Sequence, residues 1–319
     1  MTREDAERLL ALSRESSWTF PSSAGGPLDA RARREQWVEQ LLAEQQSVVD
    51  AARYFVDAGE LDAATELAAN SWRLWMVTRD IDGGRRFLAT VLDVGNTNAS
   101  RERALALYGD GLFAFWQGEH EHARERNEAA LVAARASGDD EALALAHLGM
   151  SRVAVDDGDH ERARTHAVHA REHARDLGPA MGQAPLHLHA QAVRQAGDYD
   201  QAAVLFEQSL ELNRRIGDAG MVAVELHNLG HVEIRRGNVD EAERYFAECA
   251  EQDAGDSYGA ALTQFNKAAI AYLRGDFDRA GSLFDEARAV LDESGVQLAT
   301  DDRAEVDWLS EQLAQQNDG

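Results

Sequence analysis

The stretch Gly197-Asp-Tyr-Asp-Gln-Ala202 decides the fold, because close copies of it recur along the chain at a nearly fixed interval. The other copies are Gly118-Glu-His-Glu-His-Ala123, Gly158-Asp-His-Glu-Arg-Ala163, Gly237-Asn-Val-Asp-Glu-Ala242 and Gly275-Asp-Phe-Asp-Arg-Ala280. Successive glycines are separated by 40, 39, 40 and 38 residues. A period of this length is typical of a helical solenoid, in which each repeat packs against its neighbours and together they form an extended binding surface.

Each hexapeptide has the composition of a tight turn between two helices. Its glycine can adopt the left-handed conformation that ends a helix, and the acidic or Asn residue that follows can cap the next one. The two helices of each hairpin are called helix A, before the turn, and helix B, after it. Small residues that allow close helix packing stand seven positions before each glycine and twelve after it, namely Gly111, Ser151, Ala190, Gly230, Ala268, Ala130, Ala170, Ser209, Cys249 and Ala287. We therefore predict that Cys249 is a buried packing residue, and that Phe206, Phe246 and Phe284, nine positions after their glycines, belong to the core.

These columns resemble the tetratricopeptide repeat, which has a small residue in helix A, a Gly-Asp or Gly-Asn turn seven residues later, and then Ala, aromatic and small residues in helix B. The resemblance covers roughly residues 99–293 in five units, whose period of 38–40 residues exceeds the usual value of about 34. HEAT repeats have a period of about 40–47 residues but do not explain the Gly-acid-x-acid-x-Ala turn. The resemblance implies an all-α, right-handed superhelical solenoid of antiparallel helix pairs.

Looser copies of the turn precede these repeats, at Gly59-Glu-Leu-Asp-Ala-Ala64 and around Arg79-Asp-Ile-Asp. Residues 37–92 are similar to the start of the helical-repeat region in actinobacterial ATPase-type transcription regulators, although the chain has no phosphate-binding Gly-x-x-x-x-Gly-Lys-Ser/Thr loop and only one lysine, Lys267. We predict an N-terminal helix and flexible linker over residues 1–28, degenerate repeats over 29–98, five repeats over 99–293, and a capping helix over 294–319. Core positions predicted in the degenerate repeats are Trp72, Trp75 and Phe87, and Val306, Leu309 and Leu313 are predicted to cover the last repeat.

The composition excludes several classes of partner and site. A formal charge of −25 over 319 residues disfavours direct binding to nucleic acid or to anionic membranes. No apolar run is long enough to span a membrane, and the first residues lack the pattern of a secretory signal, so we expect a cytoplasmic protein. The single cysteine excludes an internal disulfide bond. No catalytic motif, metal-ligand set or cofactor loop stands out, and we predict that the chain is not an enzyme and uses no cofactor or metal.

The resemblance also indicates where a partner would bind, because helix A lines the concave groove in tetratricopeptide folds. The candidate groove residues form an apolar group and a polar group, and they are Tyr108, Leu112, Trp116, Arg152, His187, Gln191, Arg194, His227, Asn228, His231, Arg235 and Asn266. Asn228 and Asn266 match a family column in which Asn commonly bonds the backbone of a bound peptide. The arginines would attract a carboxylate, either on an acidic side chain or at a free C-terminus.

Alternative roles remain for the histidines and for the whole chain. His227 and His231, with His187 in the matching column, have a spacing that suits a metal, a pH-sensitive contact or ordinary groove polarity. On a B helix, His166, His169 and His173 are expected to form a solvated stripe. We predict a scaffold or regulatory module that binds a peptide or protein segment in the groove, with the solenoid ends and the N-terminal helix as candidate homodimer surfaces. The alternatives are a sensor of a signalling peptide or small molecule that changes superhelical pitch, and an auxiliary subunit of an enzyme complex.

Overall fold

The structure is a computed structural model that describes residues 1–15, 39–95, 97–252, 257–295, 298 and 300–317. Within these residues the chain is all-α and contains no strand, as predicted. A short helical segment over 39–43 precedes the second named helix. The named helices are α1 (Arg3–Glu15), α2 (Gln45–Asp57), α3 (Leu61–Ser71), α4 (Arg73–Thr78), α5 (Ile81–Leu92), α6 (Arg101–Trp116), α7 (His120–Ser137), α8 (Asp140–Asp156), α9 (His160–Ala174), α10 (Pro179–Gln195), α11 (Tyr199–Ile216), α12 (Ala219–Arg236), α13 (Val239–Gln252), α14 (Ser257–Leu273), α15 (Phe277–Ser294) and α16 (Thr300–Asn317). The flexible linker predicted within residues 1–28 lies outside the described residues.

The repeated glycines form the turns between helices A and B, as predicted. Gly118, Gly158, Gly197, Gly237 and Gly275 all have positive φ angles between 73° and 84°. The acidic residue after the glycine caps the next helix where it is Asp, so that Asp159, Asp198 and Asp276 each accept a hydrogen bond from a backbone N–H of the first turn. The glutamates at the equivalent positions, Glu60 and Glu119, form no such side-chain cap, in keeping with the preference for shorter side chains there.

The described chain divides into two compact units, Met1–Ala192 and Val193–Gly319, and this division falls inside the predicted repeat array over 99–293. In unit 1, α1 packs on α2 and α3, and the hairpins α6–α7 and α8–α9 pack side by side. Trp72, Trp75 and Phe87 are buried in its core, as predicted, and Trp75 stacks on Phe87 at a centroid distance of 4.3 Å. Burial of these rings supplies much of the apolar stabilisation of the degenerate repeats.

In unit 2, the hairpins α12–α13 and α14–α15 form antiparallel pairs, and α16 packs on α14 and α15. Phe206, Phe246 and Phe284 are buried, as predicted. Leu309 of α16 is also buried, with 1% of its surface exposed, and Val306 and Leu313 pack against the same apolar cluster. The apolar side of α16 is therefore part of the core of unit 2.

Close packing accounts for the columns of small residues, with one difference from the prediction. A Cβ atom placed on Gly230 would lie 2.2 Å from Cε1 of Phe246, so that only glycine fits at this crossing. Cys249, expected to be buried, is half-buried instead, and its Sγ lies 3.3 Å from the carbonyl oxygen of Ala223. It stands three residues before the end of α13 at Gln252.

Candidate functional site

Five residues of the predicted groove come together in unit 2, from three helices. His227, His231 and Arg235 follow one another at intervals of four residues and share one side of α12. The imidazole rings of His227 and His231 lie 4.5 Å apart, and Nδ2 of Asn266 on α14 lies 3.4 Å from Nδ1 of His227. With Arg194 of α10, these residues are called the basic face of unit 2: Arg194, His227, His231, Arg235 and Asn266.

The basic face binds a carboxylate that belongs to the same chain. Glu305 of α16 accepts a hydrogen bond of 3.1 Å from Nη1 of Arg194, and bonds of 3.1 and 3.0 Å from Nε and Nη2 of Arg235. Nδ1 of His231 lies 3.9 Å from the same carboxylate. The side chains of Arg194 and Glu305 are only 6% and 11% exposed. Charge-assisted hydrogen bonds shielded from water in this way are stronger than those of surface pairs.

A second carboxylate of α16 lies one helical turn earlier. Asp302 accepts a hydrogen bond of 2.9 Å from Nε2 of His227, and the hydroxyl of Tyr258 donates to its other oxygen. Burial raises the pKa of the Asp302 carboxyl, but the hydrogen bond and charge of His227, the Tyr258 hydroxyl and the charge of Arg194 outweigh burial, so that this pKa lies below its ordinary value. The two carboxylates of α16 thus balance the two guanidinium groups of the basic face.

Aromatic and apolar contacts extend this interface along α16. The guanidinium carbon of Arg235 lies 4.6 Å from the centroid of the Trp308 ring, a cation–π arrangement. Tyr272 makes an edge contact with Trp308 at 6.3 Å and donates a hydrogen bond of 3.3 Å to Gln312. A cavity of about 10 Å³ remains between α16 and the helices beneath it, which is room for about one water molecule. In this structure α16 fills the space above the basic face.

His231 is held neutral at this interface. Burial, followed by the nearby His227, Arg194 and Arg235, holds the pKa of His231 well below its ordinary value of 6.5. Because a neutral imidazole adds no charge, the positive charge near Glu305 comes from the two arginines.

The two asparagines predicted to bond a peptide backbone are both engaged within unit 2. Nδ2 of Asn228 donates a hydrogen bond of 2.9 Å to the carbonyl oxygen of Val224, one turn earlier on α12. Asn266 contacts His227, as described above. Both side chains are at least nine-tenths buried.

The candidate groove residues of unit 1 differ from one another in burial and in contacts. Tyr108 and Leu112 are buried, and Tyr108 makes an edge contact with Trp72 at 5.9 Å. Nη1 of Arg152 donates a hydrogen bond of 3.0 Å to the Tyr108 hydroxyl. Trp116 is 49% exposed, whereas His187 and Gln191 are half-buried on α10. Of these residues, Trp116 presents the largest apolar surface to solvent.

The histidines of α9 are only partly the solvated stripe that the sequence suggested, since His169 is exposed but His166 and His173 are half-buried. His166, His169 and His173 surround the buried His147 of α8, with Nδ1 of His166 at 2.9 Å and ring centroids of the other two at 5.1 and 6.0 Å. Burial and the neighbouring cationic groups lower the pKa of His147 to about 3, and burial first of all lowers that of His166 to about 4. His173 is tied to Asp140 at 2.9 Å. The reason for the difference is that α9 packs against α8 along this side.

Unit 1 also contains a charged network around a buried carboxylate. Asp110, 2% exposed, lies 2.8 Å from Nε of Arg126, 3.2 Å from Nε2 of His122 and 3.6 Å from Nε of Arg85. A cavity of about 350 Å³ opens beside this network. Its lining combines arginine and histidine with carboxylates in similar number, namely Asp82, Arg85, Arg86, Asp93, Asp110, Glu119, His122 and Arg126. The charges are mutually compensated, and we assign the network to the packing of α5, α6 and α7.

Metal-binding geometry and membrane-spanning helices can be assessed for the described part of the chain. There, no group of three or more His, Cys, Asp or Glu side chains is arranged to hold a metal ion. Nor does any helix in the described ranges have the length and apolar character needed to cross a membrane.

Sequence reasoning missed the residues of α16 that contact the basic face. The prediction for this segment considered only its apolar positions. The spacing of Asp302, Glu305 and Trp308, three residues apart, was the available signal, since it places all three on one side of a helix. His147 and Asp110 were also missed, because neither belongs to a column of the repeat.

These features define a helical-repeat protein with a tetratricopeptide-like fold, in which residues of the A helices of unit 2 bind two carboxylates of the same chain. The tetratricopeptide repeat family matches residues 183–251 and 221–293, which include the basic face. No curated protein matches the chain.

Several solved structures share the fold. The chain is similar to NprR in complex with its cognate peptide NprX (TM-score 0.64, 16% identity, 97% of this chain and 84% of that one). It is also similar to the apo form of the quorum sensor NprR from B. thuringiensis (TM-score 0.61, 16% identity, 96% and 79%). A third similar structure is a Rap protein complexed with competence and sporulation factor (TM-score 0.59, 12% identity, 98% of both chains). At such low identity these similarities establish a shared fold.

Proposed function

We propose that this chain is a non-catalytic binding module that holds a peptide or protein segment on the helix A side of its repeats. The observation that carries the proposal is the contact between the basic face and α16. Arg194, Arg235 and His227 already bind two carboxylates and support a tryptophan, all presented by one helix. A surface that recognises such a helix within its own chain has the chemistry to recognise a similar segment of another protein.

The similar structures add support from the shared fold. Two of them hold a peptide or factor, namely NprR with NprX and a Rap protein with competence and sporulation factor. The preferred partner segment is acidic, because the groups that would contact it are guanidinium and imidazole. We place the module in a regulatory circuit of the cytoplasm, on the resemblance of residues 37–92 to the repeat region of ATPase-type transcription regulators.

A second candidate function is that of a sensor whose structure changes when a signalling peptide binds. It is favoured by one specific observation, namely that the basic face is covered by α16 in this structure. A ligand would therefore have to move this helix. The two functions share one binding surface and differ in whether binding alters the rest of the chain.

The test is selection from a displayed library of random peptides on the immobilised full chain. We expect acidic peptides to be enriched on the wild type and to be lost with Arg194→Glu/Arg235→Glu. The matched control is Arg244→Glu/Arg274→Glu, which changes the same charge at arginines of unit 2 that are about half exposed. Enrichment of no peptide on the wild type, or equal enrichment on all three proteins, contradicts the proposal. Far-ultraviolet circular dichroism establishes that each variant is folded.

A further inference from the structure

We propose that α16 is a resident ligand of the basic face, and that the external partner is an acidic amphipathic helix which displaces it. The partner helix would carry two carboxylates three residues apart, followed three and four residues later by an aromatic and an aliphatic side chain. This inference rests on the proposed function and adds the chemistry of the partner and the means of control.

The first argument is that α16 does more than cover the end of a repeat array. A capping helix needs only to cover the apolar side of the hairpin next to it, here α14–α15. Leu309 performs that role, since it is 1% exposed and belongs to the cluster of that hairpin. The polar contacts of α16 reach further. Asp302 binds His227 of α12, and Glu305 binds Arg194 of α10 and Arg235 of α12. Capping does not require these contacts.

The second argument is the match between the two surfaces. The contacting residues Asp302, Glu305, Trp308 and Leu309 lie at positions i, i+3, i+6 and i+7 and therefore share one side of α16. Each meets a group that suits it: the first carboxylate meets imidazole and a phenol, the second meets two guanidinium groups, the indole meets a guanidinium, and the leucine meets an apolar cluster. Shape and charge agree along two turns of the helix, as they do in complexes of a helix with a groove.

The third argument concerns the charge of the chain as a whole. A protein with a formal charge of −25 would repel an acidic partner at most of its surface. On the basic face, Arg194 and Arg235 supply positive charge, and Asp302 and Glu305 neutralise it while α16 is in place. An acidic helix is therefore excluded from the site until α16 leaves. The position of α16 therefore controls whether the basic face can bind an acidic partner.

The extent to which α16 weakens the binding of an external helix depends on how strongly α16 competes for the basic face. A segment joined by a short connector competes at an effective concentration in the millimolar range. A partner binds only the fraction of molecules in which α16 is displaced, and its apparent affinity is reduced in proportion. Weakening the contacts of α16 without altering the basic face should therefore raise the affinity for an external helix.

The experiment uses the full chain and a fluorescein-labelled peptide of residues 300–317, TDDRAEVDWLSEQLAQQN, as the probe. Binding is measured by fluorescence anisotropy for the wild type, for Asp302→Asn/Glu305→Gln and for Asp307→Asn/Glu311→Gln. The last variant is the matched control, since it removes the same charge from exposed positions of the same helix. We expect Asp302→Asn/Glu305→Gln to bind the peptide at least tenfold more tightly than the wild type and the control. A peptide that itself carries Asp302→Asn/Glu305→Gln should bind none of the three proteins.

Equal affinity of the three proteins, or no binding to Asp302→Asn/Glu305→Gln, would overturn the inference. Amide hydrogen exchange of Asp302→Asn/Glu305→Gln distinguishes release of α16 from unfolding of unit 2. The variant must retain protection in α12 and α14 while it loses protection in α16. If library peptides bind the wild type but are not displaced by the 300–317 peptide, the resident-ligand inference fails while the proposed function stands. If no library peptide binds the wild type, the proposed function fails, whatever the affinity of Asp302→Asn/Glu305→Gln for the 300–317 peptide. A wild-type dimer that dissociates when the free peptide is added would identify α16 of a second copy as the occupant, and would overturn a separate partner.

Discussion

The guanidinium of Arg194 donates a hydrogen bond of 3.1 Å to the carboxylate of Glu305, although 111 residues separate them in the chain. Among the residues that the structure describes, most other side-chain bonds between helices join residues less than 50 positions apart, as expected where each repeat contacts its neighbour. The Arg194–Glu305 bond thus identifies α16 as the element that departs from the repeat pattern. It is also the contact on which the proposed partner specificity depends.

The charged network of unit 1 allows a test of how burial changes the contribution of a carboxylate to stability. Arg126 lies 2.8 Å from both Asp110 and Asp93, but the Asp110 side chain is 3% exposed and the Asp93 side chain 56%. We expect Asp110→Asn to lower the free energy of unfolding by ~1–3 kcal/mol, because it removes a buried charged acceptor shared by Arg126, His122 and Arg85. Asp93→Asn should cost less than about 1 kcal/mol. Urea unfolding of both variants measures the difference, and equal losses would contradict the assignment.

The helix crossing at Gly230 should not tolerate even one methyl group. A Cβ there would lie 2.2 Å from Phe246, so Gly230→Ala should lower the free energy of unfolding by ~1–3 kcal/mol through overpacking. A Cβ placed on Gly281, within α15 of the same unit, would meet no neighbouring side chain within 4 Å. Gly281→Ala should therefore raise stability by up to about 1 kcal/mol, through helix propensity. Thermal unfolding compares the stabilities of the two variants. A gain of stability in both would contradict the close packing of Gly230 against Phe246.

The turn before α5 tests whether the left-handed conformation or glycine itself is required. Arg79 has φ of 56°, in a turn equivalent to those formed by the repeated glycines. Arg79→Gly should raise the free energy of unfolding by up to about 1 kcal/mol, because glycine adopts this conformation without strain. Gly158→Ala should lower it by ~1–2 kcal/mol, since φ is 73° there although space is available. A loss of stability in Arg79→Gly, or a gain in Gly158→Ala, would show that the two turns are not equivalent.

The histidine cluster of unit 1 should make stability depend on pH. The folded-state pKa of His147 is about 3, below the ordinary value of 6.5, so the unfolded chain binds the proton more readily. Stability from this residue is complete above about pH 6.5 and is lost as pH falls from 6.5 towards 3. We expect His147→Gln to reduce the dependence of the free energy of unfolding on pH in this range. The free energy of unfolding at pH 7.5 is the reference for each protein. An unchanged slope between pH 6.5 and 4, or a His147 NMR titration near 6.5, would rule the explanation out.

The predictable part of the structure is the part determined by local sequence. Gly197 and its equivalents need a left-handed conformation whatever surrounds them, so the turns and the helix boundaries followed from spacing alone. Trp72 and Phe87 are large aromatic side chains of the degenerate repeats. They were expected in the core and lie there. Local constraints of this kind are independent of how distant parts of the chain pack.

The position of α16 could not be predicted, because it depends on contacts between distant residues. Asp302 and Glu305 are two of 57 acidic residues, and nothing local distinguishes them from the residues that keep the surface charged. The amphipathic pattern of the segment predicted a helix with an apolar side but not the location of its polar side. The partial burial of His166 and His173 was missed for a related reason, since it depends on how α8 and α9 pack.

The long separation between Arg194 and Glu305 has a consequence for the order in which unit 2 forms. In a repeat array, each hairpin can fold on its neighbour with little loss of chain entropy. Docking of α16 onto α10 and α12 instead closes a loop of 111 residues and must wait until the intervening hairpins have formed. We therefore expect refolding to show a late kinetic phase in which Trp308 acquires its native fluorescence, after most of the helical signal has returned.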